Sequence, residues 1–307
     1  MFEAIAHGKS SLLENRWWIY QKERFPIFKY GFLIAIFSGS AVSYPKLLGV
    51  ETSSFGIAWA VAFIVIFCLF FQMRIADEFK DYEDDCRYRP ERAIPRGLVS
   101  RQELGYVGLF TGIIQFITTY LFNPPLLLFL GLVWGYFALM CAEFGVRNWL
   151  KANLSLYMIS HMMILPLMAL FCLVCSGSFK TIYLLFCLTC FFNGIVIEIG
   201  RKIRAPQDER VGVETYSSIW QPKNAALVWL ISIFLTTVTA IWTATQIGFG
   251  WQLSIALCVC LSPTISISWW FIKKLDRKSA KWIDRMSGIW TIVLYFSLGL
   301  LPLWLSS

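Results

Sequence analysis

Three aspartates stand at intervals of four residues directly after a long apolar stretch: Asp77, Asp81 and Asp85. If the helix of that stretch continues, each interval advances by only about 40° and roughly 6 Å, so the carboxylates share one face. Like charges on one face repel, and aspartate is a poor helix former, so we expect a cation to bind there. Mg²⁺ is typically held by one or two carboxylates together with substrate phosphates. The spacing therefore predicts a magnesium and diphosphate site.

Basic residues follow the aspartates within the same segment. A guanidinium group matches the oxygens of a phosphate with two parallel hydrogen bonds. Their presence favours phosphate binding over the alternative, a solvated acidic loop that only separates two helices. The arginines concerned are Arg87, Arg89, Arg92, Arg96 and Arg101.

The elements that must position these residues are membrane helices. Of the 307 residues, 57% are hydrophobic and 15% are charged, which is too apolar for a soluble domain. A helix that crosses a bilayer needs about 20 apolar residues. The sequence predicts an all-α, polytopic bundle of nine transmembrane helices. The nine stretches are 27–45, 54–76, 103–122, 124–142, 153–176, 179–200, 224–246, 250–271 and 287–305.

Basic residues also predict the orientation of the bundle. Of the 27 Lys and Arg, all but Lys46 and Lys180 fall in one set of loops, which the positive-inside rule assigns to the cytoplasm. The amino terminus and two longer loops, 77–102 and 201–223, are then cytoplasmic. The net charge of +8 sits in short loops between apolar spans, so we expect contact with membrane lipids and not with nucleic acid.

The sequence also suggests how the chain is organised. Residues 1–26 form a cytoplasmic or interfacial segment with no pattern of a cleaved signal peptide. Residues 27–307 form one transmembrane domain, because no loop is long enough to hold a second folded unit. Nothing in the sequence sets an oligomeric state.

The first long loop resembles that of the UbiA superfamily of intramembrane prenyltransferases. The family motif is Asn-Asp-x-x-Asp-x-x-x-Asp, followed by Arg-Pro-Ile-Pro-x-Gly. Residues 77–85 and 92–97 match both in the same spacing, with Asp77-Glu78 in place of Asn-Asp and Ala93 in place of the first proline. The resemblance implies a UbiA-like fold in which the carboxylates serve in catalysis, Arg92 binds substrate and the acids bind Mg²⁺. The implied metal ligands are Asp77, Glu78, Asp81 and Asp85, and the implied catalytic residues are Asp77, Asp81 and Asp85.

The second long loop resembles the family less closely. The family places spaced aspartates there, followed by Gly and Thr. In this sequence Asp208 stands at the matching distance from Gly212 and Thr215, Glu198 is a second acid, and Arg204 occupies the place of another aspartate. The resemblance implies that Glu198 and Asp208 are metal ligands.

Two mechanisms remain open for this loop. In the first, a second Mg²⁺ is lost, and Arg201, Lys202 and Arg204 bind the diphosphate directly. In the second, Glu198 and Asp208 still hold a metal ion across an altered loop. The spacing does not decide between them.

Two further features lie around the connection between the fourth and fifth spans. Tyr136, Arg147 and Lys151 resemble a tyrosine and basic residues of the family, which implies that Arg147 and Lys151 bind substrate. His161 stands within an apolar span, where a polar residue has either a functional role or an interhelical hydrogen bond.

The resemblance implies a magnesium-dependent transfer of an isoprenyl group from a prenyl diphosphate to a lipophilic, lipid-embedded and aromatic acceptor. One alternative is phosphoribosyl transfer from phosphoribosyl diphosphate to a polyprenyl phosphate, because the second loop is basic. The other is a non-catalytic isoprenoid-binding or transport protein. That reading is disfavoured by the lack of carboxylates deep within the apolar stretches.

Overall fold

The structure, a computed structural model, describes residues 15–306. The regular elements of these residues are helical, apart from one isolated bridge between Glu51 and Gly177. Nine of the described helices are long and apolar enough to cross a membrane, which confirms the all-α, nine-span fold. In chain order, spans one to nine are Ile27–Leu47, Phe55–Lys80, Arg101–Phe122, Pro124–Cys141, Leu154–Ser176, Tyr183–Arg201, Pro222–Thr245, Gly250–Lys274 and Arg277–Ser306.

The largest difference from the expected boundaries is at span nine, which begins at Arg277 and not at residue 287. The side chain of Asp276 accepts a hydrogen bond of 2.7 Å from the backbone N–H of Ser279 and so caps the helix there. Ahead of span one, a separate helix covers Arg16–Arg24. The rest of the expected amino-terminal segment, residues 1–14, lies outside the described residues.

Spans five and six form the centre of the bundle, whereas spans three, four and eight lie at its periphery. In their apolar windows, 61% and 67% of the residues of spans five and six are buried, against 22% in each peripheral span. The peripheral spans expose large apolar side chains such as Leu121, Trp251 and Val259. Exposed apolar side chains on peripheral helices fit contact with lipid.

Polar side chains connect the central spans to one another. Asn193 of span six donates to the hydroxyl of Thr291 in span nine over 3.2 Å. The indole of Trp229 in span seven donates to the hydroxyl of Ser287 over 2.9 Å. Because lipid removes most of the hydrophobic drive between membrane helices, such hydrogen bonds and close packing hold the bundle together.

Span nine also packs directly against span one. A π-helical turn, Phe296–Leu300, places Gly299 so close to span one that a Cβ there would lie 2.5 Å from the Cα of Ser40. The rings of Phe37 and Tyr295 meet edge to face at 5.2 Å beside this contact. The first and last spans therefore close the bundle, and the contact requires glycine.

The two long loops meet at one end of the bundle. After span two the chain turns at Asp81 and forms a short helix, Tyr82–Tyr88. The second loop contains the helix Tyr216–Trp220, which follows span six. The guanidinium of Arg210 lies 3.3 Å from the carboxylate of Glu91, so the loops are in direct contact.

Candidate active site

Asp77 lies in the last turn of span two and faces the end of span six. Its carboxylate pairs with Arg74 at 2.5 Å and is half-exposed. It also interacts electrostatically with Arg201, the last residue of span six. The structure thus brings the first acid of the first loop to a cation of the second loop.

Asp81 stands at the break between span two and the helix Tyr82–Tyr88. Within residues 15–306 its carboxylate has no ion-pair partner. Burial raises the pKa of this carboxyl, and the nearby negative charges of Asp77 and Asp85 raise it further. Asp81 is therefore a partly desolvated acid whose repulsion by Asp77 and Asp85 is only partly offset by the charges of Arg89 and Lys80, which is the condition expected of a ligand for a cation.

Asp85 has turned into the protein. Its side chain is buried, with Arg89 at 3.0 Å and Arg92 at 2.7 Å. Burial lowers the pKa of the Arg92 guanidinium. The charges of Arg89 and Arg92 already balance this carboxylate, and Nη1 of Arg92 is engaged in the ion pair.

Glu78 of span two faces the amino-terminal helix. It is buried and pairs at 2.5 Å with Arg24, at the end of the helix Arg16–Arg24. This pair joins the amino-terminal helix to span two. The structure therefore brings Asp77 and Asp81 together and places Glu78 against Arg24.

Glu198 of span six is enclosed by donors. The Nε of Arg201 donates to it over 2.7 Å, the ammonium of Lys202 lies at 2.9 Å, and the hydroxyl of Tyr216 donates over 3.3 Å. Burial raises the pKa of Tyr216, and the charge of Glu198 adds to the effect. Arg201 is still half-exposed, so its guanidinium is held in place while part of it faces outward.

Asp208 and Arg204 do not join Glu198. Both carboxylate oxygens of Asp208 accept hydrogen bonds from Nε of Arg277, at 2.8 and 2.9 Å, and this pairing lowers the pKa of the carboxyl. Arg204 is exposed, and its backbone N–H donates to the hydroxyl of Ser217 over 2.7 Å. Glu198 and Asp208 are thus each neutralised by their own cations.

The predicted basic residues after span four lie beside the first loop. Lys151 is 3.7 Å from Asp84, and both side chains are exposed. Arg147 lines a cavity of about 340 Å³ whose wall also includes Lys80 and Glu143. Sequence reasoning missed Lys80 and Glu143. Two features of the sequence could have identified them. Lys80 lies inside the aspartate motif, and Glu143 is an isolated acid between two apolar spans.

The two loops differ in their fit to Mg²⁺. Asp77 and Asp81 offer the one or two carboxylates that Mg²⁺ needs alongside substrate phosphates, and Asp81 is unpaired among the described residues. Glu198 and Asp208 are already paired with cations. Within residues 15–306, no three His, Cys, Asp or Glu side chains converge to hold a metal ion by themselves. Asp77 is paired with Arg74 but half-exposed, and Asp81 has no ion-pair partner among these residues, so the first loop fits a substrate-assisted metal site. The second loop, whose Glu198 and Asp208 are both paired, does not fit one.

Comparisons with known proteins found a family model and a similar solved structure. Residues 32–292 match the family model described as the UbiA prenyltransferase family. The fold is similar to that of a solved structure, the apo structure of a UbiA homolog from Aeropyrum pernix K1. That similarity has a TM-score of 0.65 at 14% identity and covers 86% of this chain and 96% of the other. No curated protein sequence matches the chain.

Proposed function

The chain belongs to the UbiA prenyltransferase family, and from this premise we propose that it transfers an isoprenyl group from a prenyl diphosphate to a lipophilic, lipid-embedded acceptor with the help of Mg²⁺. The observation that carries the proposal is the interaction of Asp77, whose charge also acts on Asp81, with Arg201 at the ends of spans two and six. The carboxylates can bind a metal ion, and the guanidinium of Arg201, which Glu198 holds in place, can bind phosphate oxygens at the same site.

The chemistry of this site is stabilisation of a leaving group. As the allylic carbon–oxygen bond breaks, negative charge grows on the diphosphate, and fixed cations that face it lower the barrier. Glu198 holds Arg201 and Lys202 in position before substrate arrives. Mg²⁺ bound by Asp77 and Asp81 would neutralise further charge on the diphosphate.

A binding experiment tests the proposal and its main alternative together. With MgCl₂, a non-hydrolysable prenyl diphosphate analogue at 100 times its Kd should stabilise the purified protein by about 2.7 kcal/mol, because it binds the folded state. Phosphoribosyl diphosphate should give no stabilisation. Thermal unfolding in detergent measures both, with inorganic diphosphate as the control for the shared phosphate groups. If phosphoribosyl diphosphate stabilises the protein and the prenyl analogue does not, phosphoribosyl transfer would replace prenyl transfer as the proposed function.

We also propose that the two long loops lie on the cytoplasmic side, as the distribution of Lys and Arg indicates. A reporter that works only outside the cytoplasm should then be active when it is fused after Asn123, Lys180 or Gly248. A reporter that works only inside the cytoplasm should be active when it is fused within 77–102 or 201–223. An activity pattern with the two groups exchanged would invert the orientation.

A further inference from the structure

The polar cavity of about 340 Å³ lies at the ends of spans two, three and four, and the function proposed above gives it no role. Its volume is within the range of about 300–1,000 Å³ that is usual for small-molecule sites. The described residues that line it do not include Asp77, Asp81 or Arg201, so it is separate from the site proposed for the diphosphate. The charged side chains of its wall are Lys80, Glu83, Arg101, Glu143 and Arg147.

Lys80 and Glu143 neutralise each other in this wall. The Lys80 ammonium lies 2.6 Å from Oε1 of Glu143 and donates to the hydroxyl of Tyr157 over 3.3 Å. It is also 3.4 Å from Nε2 of His161, which gives this buried residue of span five a contact with the end of span two. The pair is largely buried and adds no net charge to the cavity.

Arg101 and Arg147 differ from Lys80, because neither forms an ion pair with any residue of 15–306. Both residues are exposed. The guanidinium of Arg101 lies over the ring of Tyr82, 3.8 Å from its centroid. This stacking fixes the plane of the guanidinium and leaves the N–H groups, which point outward in that plane, free to bind an anion. Two cations without a carboxylate partner in the described chain therefore face one cavity.

The turn that carries Glu143 and leads to Arg147 is strained. Glu143, Phe144 and Gly145 have φ values of 49°, 54° and 75° in succession. Only glycine adopts this left-handed region without cost, so two of the three residues are unfavourable there. The turn brings Glu143 and Arg147 into the wall of the same cavity. Backbone strain of this kind clusters at ligand sites.

The charge of the wall suits an anion with one negative charge. Beyond the pair of Lys80 and Glu143, the two arginines are opposed by the carboxylate of Glu83, which is exposed. A phosphodiester carries one negative charge, and its oxygens match a guanidinium with two parallel hydrogen bonds. A diphosphate carries more negative charge than this wall can balance. The wall therefore favours a phosphodiester.

The surroundings of the cavity favour a lipid as the source of that phosphodiester. Spans three and four lie at the periphery of the bundle, with 22% of their apolar windows buried. Phe79, an exposed apolar residue, lines the cavity itself, and the exposed Trp149 follows Arg147 closely in the chain. Aromatic side chains are enriched at the membrane surface, and basic pockets between transmembrane helices bind lipid headgroups there.

We propose that this cavity binds the phosphodiester headgroup of an anionic membrane lipid through Arg101 and Arg147. The acyl chains of the lipid lie against the exposed faces of spans three and four. Tyr82, on which Arg101 stacks, begins the helix Tyr82–Tyr88 directly after Asp81. The bound lipid therefore joins the ends of spans three and four to the first loop and stabilises that loop. Binding requires neither substrate nor Mg²⁺.

Thermal unfolding of the purified chain in a neutral detergent tests the headgroup. Dioleoyl phosphatidylglycerol should raise the melting temperature with increasing concentration, because it binds the folded state, whereas dioleoyl phosphatidylcholine and inorganic phosphate should have little effect. Arg101→Gln and Arg147→Gln should each weaken the apparent affinity for phosphatidylglycerol about fivefold. Arg285→Gln is the matched control, because it also removes an exposed guanidinium stacked on an aromatic ring, that of Trp282, and it should leave the affinity unchanged.

Two outcomes of this titration would overturn the proposal. One is equal stabilisation by phosphatidylglycerol and phosphatidylcholine, or an affinity for phosphatidylglycerol that the double variant of Arg101→Gln and Arg147→Gln retains. The other is stabilisation by inorganic phosphate without any from phosphatidylglycerol, which would make the ligand a free phosphate. Melting temperatures without lipid check that the variants fold.

Alkylation of Cys141 locates the lipid without any change to the arginines. Cys141 is exposed and lines the cavity, whereas Cys86 is exposed in the helix Tyr82–Tyr88, outside the cavity wall. At about ten times its Kd, phosphatidylglycerol should slow modification of Cys141 by iodoacetamide about tenfold and leave Cys86 unchanged, because the bound lipid covers one thiol. Peptide mass spectrometry measures both rates. Equal protection of the two thiols, or protection of neither, would place the lipid elsewhere and refute the proposal.

Discussion

Replacement of Asp81 by alanine is expected to lower turnover at least about 1000-fold, equivalent to about 4 kcal/mol of transition-state stabilisation. Asp81 is the acid of the first loop that has no ion-pair partner in residues 15–306. Its carboxylate is thus the one most available to Mg²⁺ and to the charge of a bound diphosphate. The rate of labelled lipid product under saturating MgCl₂ measures the effect.

The same replacement should leave the metal-free fold intact. Two like-charge pairs at four-residue spacing are relieved, which is worth about 0.4–1 kcal/mol. Because the pKa of Asp81 is raised in the folded protein, its ionised form weakens folding, so wild-type stability should rise as pH falls through that pKa. Asp81→Asn should flatten this rise. Asp84→Ala, an exposed neighbour, serves as the control. Near-normal turnover in Asp81→Ala would remove the residue from the site.

Replacement of Asp85 by alanine is expected to act first on folding, with a loss of about 3 kcal/mol. Arg89 and Arg92 both pair with this buried carboxylate, and neither would have a replacement partner. Their side chains are about one-fifth and one-quarter exposed, so water offsets part of the cost, and the value lies at the lower end of the usual range.

Thermal unfolding of Asp85→Ala beside Asp84→Ala measures the effect, because the two residues are adjacent and differ in burial. A double variant, Asp85→Ala with Arg92→Met, tests the cause by removing one of the orphaned charges. It should recover part of the lost stability. Equal melting temperatures for Asp85→Ala and Asp84→Ala would show that the buried ion pairs do not hold the loop.

The spans and the first loop could be predicted from the sequence for physical reasons. Crossing a bilayer requires a long apolar helix, so composition alone locates spans such as Phe55–Lys80. The four-residue interval between Asp77 and Asp81 survives the helix break, since backbone N–H groups still bond to carbonyls four residues earlier. The match to the family model then agrees with the resemblance found in the loop.

The partners of the charged side chains could not be predicted in the same way. Glu78 and Asp81 have similar standing in the motif, but Glu78 is buried against Arg24 because the amino-terminal helix docks there. That docking depends on packing between distant segments, which spacing does not encode. The same holds for Lys80 and Glu143, which are 63 positions apart in the chain and 2.6 Å apart in space.

The contact between Gly299 and Ser40 bears on how the protein is made. About 260 residues separate the two positions, so at about 5–20 residues per second the partner of the first span emerges roughly 13 to 52 s after it. During that interval the first span has lipid or the insertion machinery where span nine will later pack. The seam between the first and ninth spans is therefore the last interface to assemble. A larger residue at position 299 should leave a chain whose helices are all inserted but whose first and ninth spans do not pack together. Membrane quality control would then recognise this chain as incompletely folded.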